Sequence, residues 1–387
     1  MRGRDLFIIN RGKENNRNSS IELIKIIAIF LIVINHVIQT IGTENSFIFY
    51  HDYVINLNVA TTNIQQLILS ILRYSGTIGN TIFFACSAWF MIDSKKFNVK
   101  KWFHLLFEVW VISIVILAIT YINRSGNIDV GIIIKSMLPT TFENNWYITC
   151  YLLFYLAHIL LNKIIHEISQ IQLLRISAAL IIIYIGINFV INGLFFCTDL
   201  ILWIVIYFII SYIKIYCQNF VKNKKINIFL LCFGIIAHIS IIIFTNFIGL
   251  RIHFFSNWLL RWNNASNPFI IFSVIALINL LHATKFHSNF INNFSKLSLL
   301  IYIIHENIII RTYYRPYFIN YIYENYGYKY ILLWVILLSI AIFIISAIIS
   351  HVYDLTLRKY VNRLCLLVYK IFSTQWKKVE KFLIKLD

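Results

Sequence analysis

A lysine and a histidine share one face of the first long apolar segment. Residues 21–41 contain Lys25 and His36, eleven positions apart. Because each residue of an α-helix advances by about 100°, the two side chains lie within about 20° of each other, about 16 Å apart along the axis. The cation can hold an anionic carrier, and the imidazole can act as a general base. In the structural alternative, Lys25 extends to the lipid headgroups and His36 hydrogen-bonds a neighbouring helix.

Further polar residues lie in apolar segments, where an unsatisfied polar group is costly in a bilayer. Ser298, Tyr302 and His305 have a spacing that places them on one helical face. This set suits either a core hydrogen-bond network or a part of a catalytic site. Ser87 lies in a run of small residues that permits close helix packing. Trp146 begins a segment with an aromatic pair typical of a membrane interface.

The composition indicates the class of protein. Of the 387 residues, 59% are hydrophobic and 13% are charged, whereas soluble proteins carry about 25% charged residues. Apolar runs of about twenty residues recur, as membrane-spanning helices require. We therefore predict an all-α, polytopic transmembrane helical bundle with about ten spanning helices. The predicted spans are residues 21–41, 76–92, 103–122, 146–161, 174–191, 195–213, 226–248, 265–281, 297–310 and 330–349.

The distribution of basic residues predicts the topology. The net charge of +18 lies in short loops and tails, so it does not indicate a nucleic-acid partner. With the N-terminus in the cytoplasm, 25 of the 34 Lys and Arg residues fall in cytoplasmic segments. Eight fall in external segments, including Arg311 and Arg315, and Lys25 lies within the first span. This bias follows the positive-inside rule, and an even number of spans returns the C-terminus to the cytoplasm.

These features divide the chain into three predicted parts. Residues 1–20 form a cytoplasmic N-terminal segment, residues 21–351 the transmembrane domain, and residues 352–387 a basic cytoplasmic tail. The tail can lie on the inner membrane surface, because apolar residues are interspersed among its cations, or it can be solvated. The sequence contains no P-loop, no HExxH zinc motif and no Gly-x-Ser-x-Gly elbow.

The order and spacing of these residues resemble the acyltransferase-3 family of bacterial integral membrane acyltransferases, of the O-acetyltransferase type. The family's first helix carries a basic residue, ten intervening residues and a histidine, which Lys25 and His36 match. The late Ser-x-x-x-Tyr-x-x-His pattern of the family is matched by Ser298, Tyr302 and His305. Weaker matches are Phe83, Phe84 and Ser87 in a Phe-Phe-x-x-Ser-Gly-Tyr pattern, in which Ala88 and Trp89 replace the last two residues, and Trp146-Tyr147 in place of a Trp-Phe pair.

The resemblance implies transfer of an acyl group, usually acetyl from acetyl-CoA, to a hydroxyl of a capsule, an exopolysaccharide or a lipid-linked glycan. It implies His36 as the catalytic base, or as the acceptor in an acyl-histidine intermediate, and Lys25 as the residue that binds the carrier. The candidate pore-lining residues are Ser87, Trp146, Tyr302 and His305.

We expect no metal and no permanently bound cofactor. The expected partners are acyl-CoA, the glycan acceptor and membrane lipid, in a multi-pass protein of the plasma membrane. One alternative function is transport of a polysaccharide or a lipid-linked glycan without catalysis. The other is glycan polymerisation, which the short, Arg-poor external loops do not favour.

Overall fold

The computed structural model describes residues 18–40, 63–95, 97–124, 126–142, 144–187, 198–249, 252, 266–284, 286–327 and 329–384. Every regular element in these residues is helical, which confirms the predicted all-α bundle. Among the same residues, eight helical stretches are long and apolar enough to cross a membrane. They are Ser19–Thr40, Leu67–Met91, Val99–Asn123, Trp146–Glu167, Gln170–Ile187, Asp199–Tyr216, Lys224–Thr245 and Ile331–Thr356.

The described residues form sixteen α-helices. In chain order they are α1 (Ser19–Thr40), α2 (Asn63–Arg73), α3 (Ser75–Met91), α4 (Val99–Asn123), α5 (Val130–Met137), α6 (Trp146–Glu167), α7 (Gln170–Leu180), α8 (Asp199–Tyr216), α9 (Gln218–Lys222), α10 (Lys224–Gly249), α11 (Pro268–Ala283), α12 (Asn289–Ser295), α13 (Ser298–His305), α14 (Arg315–Tyr326), α15 (Ile331–Thr356) and α16 (Arg358–Ile384). Two π-helical segments, Ile181–Ile187 and Ile310–Tyr314, follow α7 and precede α14.

The helices observed in two of the predicted spans are shorter than a bilayer requires. Helix α11 has 16 residues and α13 has 8, whereas a spanning helix needs about 20. Helix α13 lies in the predicted ninth span, 297–310, and ends where the charged Glu306 caps it. The tight link predicted at residues 192–193 lies outside the described residues.

Helix α1 lies at the centre of the bundle, in contact with α3, α12, α13 and α15. Its contact with α3 is close because α3 presents small residues. A Cβ atom on Gly79 would lie 2.5 Å from the Ala28 carbonyl oxygen, and Ser75 donates its hydroxyl to the Leu31 carbonyl at 2.7 Å. Small residues allow membrane helices to approach in this way, and the approach fixes the position of α1.

The beginning of α1 is also held by side-chain hydrogen bonds. Asn18 donates its amide to the Leu281 carbonyl at 2.9 Å, and Ser20 donates its hydroxyl to the Thr284 carbonyl at 2.9 Å. Ser19 donates to the Asn292 amide oxygen at 2.8 Å. These bonds use groups that lie free at helix ends, and they tie α1 to the end of α11 and to α12.

An ion pair joins the last helix, α16, to α4. Arg358 donates to a Glu108 carboxylate oxygen through Nε at 3.0 Å and through Nη2 at 2.9 Å. The Glu108 side chain is buried, and Arg358 also pairs with Asp354. A buried carboxylate requires such a partner, so the start of α16 is fixed against α4. The predicted boundary between domain and tail, 351/352, falls within α15.

Candidate active site

His36 lies buried near the end of α1 and contacts two residues from the region where α13 ends. Its Nδ1 atom is 2.8 Å from a Glu306 carboxylate oxygen and 3.1 Å from Nε2 of His305. His36 and His305 are 269 positions apart in the chain. The packing of α1 against α13 therefore assembles an imidazole pair with a carboxylate at one edge.

The hydrogen bonds assign the tautomers of both histidines. Nδ1 of His305 is 2.7 Å from the Ile301 carbonyl oxygen, which can only accept, so Nδ1 carries the proton and Nε2 accepts. Nδ1 of His36 must then be the protonated nitrogen, since it faces the His305 Nε2 lone pair and the Glu306 carboxylate. Nε2 of His36 keeps its lone pair, and no described residue forms a hydrogen bond with it. That atom can accept a proton from a substrate.

Two arginines hold the carboxylate. Arg315 Nη2 is 3.0 Å from one oxygen of Glu306, and Arg311 Nη1 is 3.2 Å from the other. The Arg315 side chain is 3% exposed, so this charge pair lies in the interior, where an unpaired ion would cost several kcal/mol. Arg315 also donates to the backbone carbonyls of His305, at 2.5 Å, and of His36, at 3.4 Å.

The break after α13 is what brings Glu306 and the arginines inside. Glu306 and Asn307 are buried, and side chains satisfy the interrupted backbone. Asn307 accepts the Ile309 backbone N–H at 3.0 Å and donates to the Ser113 hydroxyl at 3.3 Å. Non-helical backbone at membrane depth is tolerated where it is buried in protein. The Arg315 contact with the His305 carbonyl satisfies the C-terminal end of α13.

Several of the predicted site residues adjoin this cluster. The Tyr302 ring lies 5.7 Å from that of His305 and 5.5 Å from that of Tyr147, measured between ring centroids. The Trp146 ring contacts the Tyr147 ring edge-on at 5.7 Å. Ser298 is buried one turn before Tyr302. The aromatic residues therefore form a path of rings that leads away from the histidine pair into α6.

The other two predicted residues lie elsewhere on α1 and α3. Lys25 is eleven residues before His36, about 16 Å along the helix, and its Nζ atom is 3.4 Å from Glu22. The Lys25 side chain is 20% exposed. Ser87 donates its hydroxyl to the Phe83 carbonyl at 3.3 Å and faces Tyr151 of α6. Neither residue contacts the histidine pair.

The sequence analysis missed Glu306, Arg311 and Arg315. It placed both arginines in an external segment; the structure pairs both with Glu306 and buries Arg315. The pairing was missed because a single helix was expected to continue to residue 310, whereas α13 ends at His305. A charged residue inside a predicted span is itself a signal of a functional site, and Glu306 directly follows the candidate His305.

The residues of this cluster could also hold a metal ion. His36, His305 and Glu306 offer ligand atoms that all lie within 4.8 Å of one another, and imidazole and carboxylate are common transition-metal ligands. However, both oxygens of Glu306 already face guanidinium groups. These cations would repel a divalent ion, so the arrangement suits proton transfer better.

A family model described as an acyltransferase domain matches residues 18–351. That match includes most of the chain and every residue of the cluster around His36. Neither the comparison with curated proteins nor the comparison with solved structures returned a match.

Proposed function

Because this chain belongs to the acyltransferase-3 family, whose model covers residues 18–351, we propose that it acetylates a hydroxyl of a cell-surface polysaccharide or a lipid-linked glycan. The chain is a multi-pass membrane protein of an acyltransferase family. Acetyl-CoA as the donor, the glycan as the acceptor and the plasma membrane as the location belong to the proposal. The contact of His36 Nδ1 with Glu306 at 2.8 Å carries the catalytic part.

The reaction step follows from the tautomer of His36. Nε2 of His36 removes the proton of the acceptor hydroxyl while the hydroxyl oxygen attacks the thioester carbonyl. The carbon–sulfur bond of the resulting tetrahedral intermediate then breaks, and the departing thiolate takes the proton from Nε2. The products are the ester and free coenzyme A, and His36 returns to its starting state. General bases of this kind contribute about 10²–10⁴-fold.

Glu306 and Arg315 act through His36. The Glu306 carboxylate accepts the Nδ1 proton, which keeps the imidazole in the reactive tautomer and stabilises the imidazolium that forms during the reaction. Arg315 fixes the carboxylate and binds the backbone carbonyls of both histidines. We therefore assign Glu306 and Arg315 as positioning residues. His305 supplies a second acceptor for the Nδ1 proton at 3.1 Å.

Lys25 is proposed to hold the phosphate groups of the carrier. Its Nζ atom is 3.4 Å from the carboxylate of Glu22, which lies three residues earlier on α1, and part of the side chain is exposed. A lysine acts as a compact point charge in phosphate binding. The Glu22 carboxylate also accepts the Ser295 hydroxyl at 2.5 Å, so its position is fixed by α12.

The decisive experiment replaces His36. Glutamine keeps a hydrogen bond and a similar volume but cannot accept the proton. His36→Gln and His36→Ala should therefore both abolish acylation while each variant protein reaches the membrane in the normal amount. His238→Gln is the matched control, because His238 is also a buried histidine with a hydrogen-bonded Nδ1. The measurement is ester-bound acetyl per unit of membrane-inserted protein.

The outcomes separate the candidate functions. Near-normal acylation by His36→Gln would end the assignment of His36 as base. Loss of the whole surface glycan on gene deletion, with acylation of the remainder intact, would favour glycan transport. If His36 itself accepts the acetyl group, purified protein mixed with acetyl-CoA alone should retain acetyl on His36; direct transfer predicts none.

A further inference from the structure

Helix α6 carries a continuous polar stripe along its length. Its members recur at intervals of three or four residues, so they fall within an arc of about 80° on the helix. They are Tyr147, Tyr151, Tyr155, His158 and Asn162. The opposite side consists of exposed aliphatic residues, namely Leu153, Leu156, Leu160 and Ile164. The aliphatic side is suited to lipid, so the polar stripe faces the interior of the bundle.

Two polar atoms on this stripe are buried without any hydrogen-bond partner among the described residues. They are the Tyr147 hydroxyl and Nε2 of His158, in side chains of residues that are 2% and 0% exposed. Nδ1 of His158 lies 2.5 Å from the Tyr155 carbonyl oxygen and donates to it, so Nε2 is an acceptor. Buried polar groups are normally satisfied. The Tyr147 hydroxyl and His158 Nε2 are therefore available to a ligand that supplies both hydrogen-bond donors and acceptors.

The stripe joins the candidate active site at one end, and a lysine lies beside its middle. Tyr147 leads to Tyr302 and then to His305 through ring contacts of 5.5 and 5.7 Å. Near the middle of α6, Lys101 Nζ lies 5.7 Å from the Tyr155 ring centroid. Tyr147 and His158 are about 16 Å apart along the axis. A long, narrow ligand could thus lie along the stripe with one end at the histidine pair.

We propose that the α6 stripe lines the passage for the pantetheine arm of acyl-CoA, with Tyr147 and His158 hydrogen-bonding its amide groups. This inference rests on the proposed function. Pantetheine is a flexible chain whose secondary amides each offer one N–H donor and one carbonyl acceptor. The Tyr147 hydroxyl can donate to an amide carbonyl, and Nε2 of His158 can accept an amide N–H. An isoprenoid chain offers neither group and would leave both atoms unsatisfied.

The test distinguishes binding of the pantetheine half of coenzyme A from binding of its nucleotide half. Purified protein in lipid nanodiscs is assayed for acetyl transfer in the presence of pantetheine or of adenosine bisphosphate as competitor. Tyr147→Phe and His158→Phe should each raise the inhibition constant of pantetheine about 2- to 12-fold, the range expected for one hydrogen bond. The inhibition constant of adenosine bisphosphate should stay at the wild-type value, because its phosphates bind outside the stripe.

Matched controls exist in the same chain. Tyr353→Phe removes another buried, unpartnered hydroxyl, and His238→Phe removes another buried histidine with an unpartnered Nε2. Both lie on other helices, α15 and α10, so pantetheine inhibition should stay unchanged. Removing an unpartnered hydroxyl leaves no partner stranded, so Tyr147→Phe should fold normally, as thermal unfolding can verify.

Equilibrium binding of radiolabelled pantetheine provides a readout that does not depend on catalysis. The proposal is overturned if wild-type protein fails to bind pantetheine, or if the stripe variants bind it as tightly as the controls do. Stripe-dependent binding by a protein that shows no acetyl transfer would support the passage while refuting the proposed function. Acetyl transfer that is unaffected by both stripe variants would refute the passage alone.

Discussion

Replacing Glu306 with glutamine tests whether this carboxylate drives proton transfer at His36. The substitution keeps the shape of the side chain and an oxygen that can accept the His36 Nδ1 proton, but it removes the negative charge. In the structure that charge lies 2.8 Å from Nδ1 of His36. We expect Glu306→Gln to lower kcat strongly and to leave the KM for acetyl-CoA nearly unchanged, because Glu306 acts on the base and not on the carrier.

The distance between His36 and Glu306 determines how large the loss in kcat should be. At 2.8 Å and an effective dielectric constant of about 20, a carboxylate and an imidazolium attract each other by about 6 kcal/mol. Arg315 and Arg311 repel the imidazolium and reduce this attraction, and the imidazole carries only part of a full charge in the transition state. A loss of about 10²–10⁴-fold in kcat, or about 3–5 kcal/mol, is therefore expected.

The control for folding is Glu108→Gln. Glu108 is also a buried carboxylate bound to an arginine, Arg358, but it lies on α4 with no contact to the histidine pair. Both variants remove a buried carboxylate charge that pairs with an arginine, which is costly, so both should lower the unfolding temperature in detergent. Only Glu306→Gln should lose acyl transfer per folded molecule. Equal activity losses in the two variants, after correction for folded protein, would refute the reasoning.

Four further predictions address the carrier, the metal, the packing and the topology. Lys25→Ala should raise the KM for acetyl-CoA about 10- to 100-fold, as loss of a charged hydrogen bond does, whereas Lys25→Arg should be milder. An unchanged KM in Lys25→Ala would indicate that Lys25 contacts lipid headgroups instead. Dialysis against a chelator should leave activity unchanged, and restoration by added Zn²⁺ after a loss would contradict the proton-transfer role. Gly79→Val should lower stability by about 1–3 kcal/mol in a thermal unfolding assay, since its Cβ would meet the Ala28 carbonyl at 2.5 Å. A reporter fused after Asp387 should be cytoplasmic, and an external signal would show that the predicted number of spans is odd.

The sequence predicted most of the fold because membrane-spanning helices can be identified from the length of their apolar segments alone. Seven of the eight long stretches begin within a few residues of a predicted span; the exception, Leu67–Met91, begins nine residues before the span at 76–92 and ends within one residue of it. The prediction failed at residues 297–310, where apolar composition continues through Glu306 but the helix ends at His305. Hydropathy averages over a window, so it cannot register a break that one buried charge and its partners stabilise.

The site was predictable only in part for a different reason. Helical spacing relates residues of one helix, and it selected His36, Tyr302 and His305, which the structure places close together. It cannot relate residues 269 positions apart, the separation of His36 and His305. The pairing of Glu306 with Arg315 depends on how the chain folds back after α13. No periodic pattern describes a segment of this kind, so the arginines were assigned to a loop.

The two proposed binding regions for the acyl donor, Lys25 and the α6 stripe, run in the same order across the bundle. Lys25 Nζ lies 6.0 Å from the ring centroid of Phe90, and Asn162, at the far end of the α6 stripe, donates to the Met91 carbonyl at 2.8 Å. Phe90 and Met91 are neighbours at the end of α3, so Lys25 and the far end of the stripe lie at a similar depth.

At the other depth, His36 connects through His305 and Tyr302 to Tyr147, the first residue of the stripe. Helices α1 and α6 therefore run in opposite directions, with Lys25 and Asn162 at one depth and His36 and Tyr147 at the other. The proposed donor, which has an anionic end and a thioester end, would match this order with its phosphates near Lys25 and its acyl group at Nε2 of His36.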